Sequence, residues 1–355
     1  MYLDCYEIVA IPGNGDETQF NEIATSNQKA NNPEYVTNYT VFLTLFYKLT
    51  DCSRILAQYV NVLMGMLFLV YLNKTLLLIE VDAKIRKVIL VIATFMPNLI
   101  FFAAILLREA WIEMFLMMSI YYYVKWFLKD RKTYYAVLSI LFVFCATWMH
   151  SGCIMVGIGY ILSFFIYNGR TKSIQLSSSF IPVFVLIAVF VLFLISNADS
   201  FLGKFGKLGG DLATEDMMID LYAIREEAGS TYLDWLDVTS PVQAVLFSPL
   251  KLFYFLFSPI PLDWRSPIDA IAFLLDSCIY IFLFYKIYKN NTDKKEHKYL
   301  IRFLLVSFFI AAFVFAFGTI ASGTAVRHRA KIIALLFVCY GLTKVKRENY
   351  KLKTL

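Results

Sequence analysis

Apolar runs of about 18–20 residues, each long enough to cross a hydrocarbon layer, follow one another along most of the chain, separated by short polar or basic stretches. The runs are continuous rather than alternating, which predicts helices and disfavours a barrel. Spans are predicted at about Arg54–Leu72, Val88–Leu107 (interrupted by Pro97), Ala110–Leu128, Tyr134–Met149, Cys153–Tyr167, Phe180–Ile195, Ile268–Tyr288, Leu300–Phe317 and Lys331–Leu342. Before them, residues 1–35 are polar, and Tyr35–Leu49 reads as an amphipathic helix lying in the interface. Between the sixth and seventh spans runs a long excursion, residues 196–267. Its first half is polar, mixing Lys204, Lys207 and Arg225 with several carboxylates, and its second, Pro241–Pro261, is apolar but broken by prolines, as in a re-entrant or surface-lying element. The pattern predicts an all-α, polytopic helical membrane protein of about 9–10 transmembrane helices, one integral domain over residues 1–355. It has an extracytoplasmic N-terminal segment (1–50) and a large extracytoplasmic loop (196–267).

Composition sharpens this. The chain has 355 residues, 59% hydrophobic and 17% charged, where a soluble domain is about half apolar and about a quarter charged. The net charge of +6 suggests nucleic acid in a soluble protein. Here it reads as Lys and Arg in cytoplasmic loops, so no nucleic-acid partner is expected, and the partner is the lipid bilayer. Of the 33 Lys and Arg residues, 21 fall after spans one, three, five and seven and in the tail, which sets that side as cytoplasmic. The count requires that 241–261 not cross completely, and it leaves the N-terminus outside. A span upstream of Met1, lost from a truncated or misassigned start, is the expected repair. Six cysteines show no metal or redox spacing. A Cys5–Cys52 disulfide is conceivable on position alone. No cofactor and no metal are expected, and no Walker A, GxSxG or HExxH pattern appears.

This orientation sends Arg108, His150, Arg225, Arg265 and the trio Arg327, His328 and Arg329 to the outer face, against the usual charge bias. An anionic ligand accounts for that. Arginine forks bind phosphates bidentately, and the ordinary alternatives are interfacial snorkelling, pairing of Arg108 with Glu109 or Glu113, and lipid headgroup binding. On a helix the neighbours Arg327, His328 and Arg329 diverge by about 100° each, so one group cannot use all three, whereas Arg327 and Lys331 share a face. Gly318, Ser322, Gly323 and Thr324 allow a broken entry to the last helix. His150 or His328 could act as a base or donor, as could Asp16 or Glu226 among the carboxylates.

Four features carry a family resemblance, Gly15–Phe20 with Asn32–Tyr35, Leu107–Ala110, Trp148–Gly152 and Gly323–Arg329, and the Pro-rich Ser258–Asp263 adds to it. In their order, and on one side, the chain resembles bacterial O-antigen and capsular polysaccharide repeat-unit polymerases, the Wzy and EpsG-like membrane proteins. It departs from them at its start, where a first span is expected. The resemblance implies a glycosyltransferase C-like fold in the bacterial cytoplasmic (inner) membrane, multi-pass, with the active site on the extracytoplasmic face. It implies transfer of an undecaprenyl-diphosphate-linked oligosaccharide to the non-reducing end of another lipid-linked repeat unit. Metal independence is implied too, with Arg108, Arg327, Arg329, Arg225 and Arg265 as diphosphate ligands and His150, His328, Asp16 and Glu226 as catalytic candidates. Flippase and chain-length regulator proteins are the implied protein partners. A lipid-linked oligosaccharide flippase, a membrane glycan O-acyltransferase and an assembly subunit are the competing classes.

Overall fold

The computed structural model describes residues 24–25, 38–51, 53–168, 173–174, 231–233, 246–290, 292–319 and 321–345. The predicted span Phe180–Ile195, the Cys5–Cys52 pair and the candidates Asp16, Arg225 and Glu226 lie outside them.

The described chain is helical: α1 Asn38–Thr50, α2 Arg54–Leu78, α3 Ala83–Phe95, α4 Pro97–Ala104, α5 Glu109–Lys125, α6 Thr133–Met149, α7 Val156–Ile166, α8 Ser248–Phe257, α9 Pro267–Ala272, α10 Cys278–Lys289, α11 Lys295–Phe317, α12 Ser322–Ala330 and α13 Ile333–Leu342. A two-residue antiparallel pairing, Tyr167–Asn168 with Ser173–Ile174, is the one sheet among the described residues. Three helical stretches are long and apolar enough to cross a membrane: Arg54–Leu78, Pro267–Lys289 and Lys295–Phe317. The bent pair α3–α4 makes a fourth if it is one span. The protein is therefore a helical membrane protein by length and composition.

Local chemistry explains the breaks. Ser53 caps α2 by accepting from Leu56 N, and Asp82 caps α3 by accepting from Lys84 N and Ile85 N. Pro97 has no N–H to continue α3, and the axis bends by 49° there. The span expected as Ile268–Tyr288 runs from Pro267 to Lys289 but widens into a π turn at Phe273–Ser277, which carries Asp276 and Ser277 inward, both buried. The expected last span, Lys331–Leu342, is preceded by a separate helix. The break falls at Lys331–Ile332, after the basic trio rather than before it.

Helix α13 is buried at all ten positions, ringed by α2, α3, α5, α10 and α11. Its neighbours come so close that a Cβ on Gly341 would sit 2.7 Å from Leu76 Cδ2. Likewise α7 meets α11 at Gly159, where an added Cβ would overlap the Ser307 hydroxyl. Small residues at such crossings let backbones approach where water-driven burial is absent.

One end of the bundle gathers the basic loops. Asp82 N donates to Lys344 O at 3.0 Å, Val81 pairs with Val345, Lys344 Nζ donates to Asn290 Oδ1 at 2.6 Å, and Lys129 lies 3.5 Å from Glu80. Helix α5 runs from this end, at Lys125, to Glu109 at the other. The ten-residue α8 rises about 15 Å, half of what a crossing needs.

Candidate functional site

The site begins with a polar residue in an apolar helix. Asn61 of α2 is buried and donates through Nδ2 to the carbonyls of Ile105, at 2.7 Å, and Leu107, at 2.8 Å. Its Oδ1 accepts from Trp111 Nε1 at 2.8 Å. These bonds satisfy the non-helical backbone between α4 and α5, which otherwise would lie unpaired away from water. They thereby set where Arg108 and Glu109 stand. Asn61→Leu is expected to free that turn and lower thermal stability by about 1–3 kcal/mol, the cost of unsatisfied buried groups. A melting curve of the detergent-solubilised variant measures it.

Glu109, the first residue of α5, is fully buried. Its Oε1 accepts from Arg327 Nε at 2.5 Å and lies 3.4 Å from Lys331 Nζ. Arg108 adds its field to the same carboxylate. The i, i+4 pair Arg327 and Lys331 thus shares one counter-ion, and the α5 N-terminus also favours it. Arg327 keeps 19% exposure, enough to meet a ligand. One turn into α5, Glu113 is buried as well.

His328 and His150 face each other with ring centroids 4.9 Å apart, at 71°. Phe315 of α11 stacks on His328 at 5.1 Å and meets His150 edge-on at 5.5 Å. Gly152 leaves room for that ring, since a Cβ there would overlap Phe315. His150 ends α6 in extended backbone and its N–H is held by Ala146 O. Both histidines are half-buried.

Arg329 stands apart from this group. It is fully buried, pairs through Nε with Asp276 Oδ2 at 2.6 Å, and donates to Phe255 O and Ser277 Oγ, each at 3.1 Å. A second guanidinium nitrogen also meets Asp276. Asn98 Nδ2 donates to the other Asp276 oxygen at 2.6 Å. The network ties α12 to α4, α8 and the π turn. Arg265 is exposed and donates to Thr231 O at 2.7 Å. Thr231 bridges to Ala321, and Tyr232 donates to Thr319 O at 3.1 Å, so this part of the excursion is fastened over the entry to α12. Burial pushes the Tyr232 phenol up, which keeps it a donor.

Arg108, His150, Arg327 and His328 therefore gather at one end of the bundle, while Arg329 and Arg265 serve their own contacts. Sequence reasoning passed over Asn61, Asn98 and Asp276, and named Glu113 only as a possible partner of Arg108. The signal was there: single polar or ionisable residues inside apolar runs. No three His, Cys, Asp or Glu side chains among the described residues cluster so as to hold a metal ion. Compared with family models, curated proteins and solved structures, the chain matches none.

Proposed function

We propose that this chain is a membrane glycosyltransferase that joins oligosaccharide units carried on a lipid diphosphate, a repeat-unit polymerase working at the extracytoplasmic face of a bacterial cytoplasmic membrane. The observation that carries the reading is the set Arg108, Arg327, His150 and His328 around the buried Glu109, at the end of the bundle away from the basic loops. A cationic edge suits a diphosphate, and imidazoles beside it suit a hydroxyl that must lose a proton.

The acceptor sugar hydroxyl attacks the anomeric carbon. The bond from that carbon to the diphosphate oxygen breaks, and its electron pair leaves with the diphosphate. Arg327 and Arg108 stabilise the charge growing on the leaving oxygen, an interaction stronger in the transition state than before it. A histidine takes the hydroxyl proton. Asp16 and Glu226 stay candidates for orienting the sugar. The nine or ten spans, the glycosyltransferase C-like arrangement and the orientation belong to this proposal, supported by the meeting of the loops after Arg54–Leu78 and Pro267–Lys289 with the segment at Lys344.

Membranes from cells lacking the gene test it by their lipid-linked products. Single repeat units accumulating on the outer face are expected. Units trapped on the inner face would instead make the protein a flippase, and full-length polymer lacking acyl groups an acyltransferase.

A further inference from the structure

The two histidines are not equivalent, and a third side chain makes the difference. Lys331 is almost wholly buried, with Nζ 3.2 Å from His328 Nδ1 and 3.4 Å from Glu109 Oε1. One proton is shared between an amine of ordinary pKa about 10.4 and an imidazole of about 6.5, and it belongs on the amine. The Glu109 carboxylate favours the same outcome. An ammonium has three donors and no acceptor. His328 Nδ1 facing it can only accept, so that nitrogen carries a lone pair.

We infer that Lys331 holds His328 as the neutral imidazole with its proton on Nε2, which makes His328 a hydrogen-bond donor to an anionic oxygen and leaves His150 as the ring that accepts a proton. The groups around His328 are consistent with one locked state: Lys331 from the α12–α13 break, Glu109 of α5 behind it, His150 at the end of α6, and the apolar Phe315 of α11. A second proton on Nδ1 would point N–H at N–H, with an ammonium 3.2 Å away. Lys331 is thus a positioning residue: it touches no substrate atom and acts through the histidine.

The tautomer stands on the described geometry alone. The roles of the two rings toward a substrate rest on the glycosyl-transfer reading, so two measurements keep them apart. The first is nitrogen NMR of histidine-labelled full-length protein in lipid nanodiscs. The chain has three histidines, and the His328 signals are those missing from H328Q. At neutral pH the wild type is expected to show a protonated Nε2 and a bare Nδ1. A protonated Nδ1 would overturn the lock. Lys331→Met is expected to give mixed tautomers and a ring that protonates on mild acidification; an unchanged His328 signal in that variant would overturn it equally. Should Lys331→Met fail to fold, the wild-type spectrum still decides.

The second measurement is polymer yield in cells. Glutamine keeps an N–H near the Nε2 position, so H328Q is expected to retain at least a tenth of the yield. H150Q is expected to lose about 100-fold or more, as when a general base is removed. If H328Q falls as far as H150Q, the donor role is wrong. If neither variant changes the polymer while the tautomer holds, the roles given to the two rings fail and the lock survives; outer-face repeat units failing to accumulate in cells lacking the gene would sink the glycosyl-transfer reading itself.

Discussion

Arg327→Ala abolishes polymer and leaves single capped repeat units, at normal protein level: this is the largest effect expected of any substitution at the site. The fold should survive because Glu109 keeps Lys331 at 3.4 Å, so no buried charge is left alone. On the proposed reading, what is lost is a cation at the leaving oxygen. Removing one preorganised donor of this kind costs about 10²–10³ in rate, enough to drop chain growth below detection. Arg327→Lys, which keeps the charge and loses the planar fork, should fall in between. Glycan profiles of membranes matched for protein level are the measurement. Full-length polymer from the alanine variant would end the diphosphate assignment.

Arg329→Met should do something different: it should unfold the protein without touching chemistry. It strips the cation from Asp276, which is buried and, among the described residues, is left with Asn98. Breaking one partner of a buried pair costs about 3–5 kcal/mol, read as a large drop in melting temperature in detergent. Replacing both, as Arg329→Met with Asp276→Leu, should recover most of that loss, because paired buried charges roughly balance their own desolvation. Polymer made by the double variant would place Arg329 in a supporting role. A single variant of normal stability that makes no polymer would return Arg329 to the substrate.

Adjacent in sequence, these two arginines show what could be read from the chain. Helical periodicity alone separates Arg327 from Arg329 and aligns Arg327 with Lys331, and both follow in the structure. The apolar runs placed Thr133–Met149 to within a residue, and placed Arg54–Leu78 and Lys295–Phe317 while ending the first six residues short and starting the second five residues late, since lipid demands long uninterrupted segments. The partners were not legible. Nothing local says that Arg329 meets Asp276, 53 positions earlier, or that Arg327 meets Glu109, 218 positions away. Charge pairing in a bundle is decided by which helices become neighbours. The π turn at Phe273–Ser277 was hidden for the same reason: no glycine or proline marks it, and the Asp276 it carries is paired with Arg329 from a distant segment.

Helix α13 carries a consequence for depth. Its ten residues rise about 15 Å, and the hydrocarbon layer is about 30 Å thick. Lys344, just past its end, belongs to the basic side. On the proposed orientation, Lys331 then sits about halfway through the bilayer, well below the level of the outer phosphates. A lipid diphosphate would have to sink to meet Arg327, one turn away and on the same counter-ion, or the bundle would have to admit a funnel of water from outside. The helices bordering that funnel, rather than the arginines themselves, would then set which glycan lipids can enter.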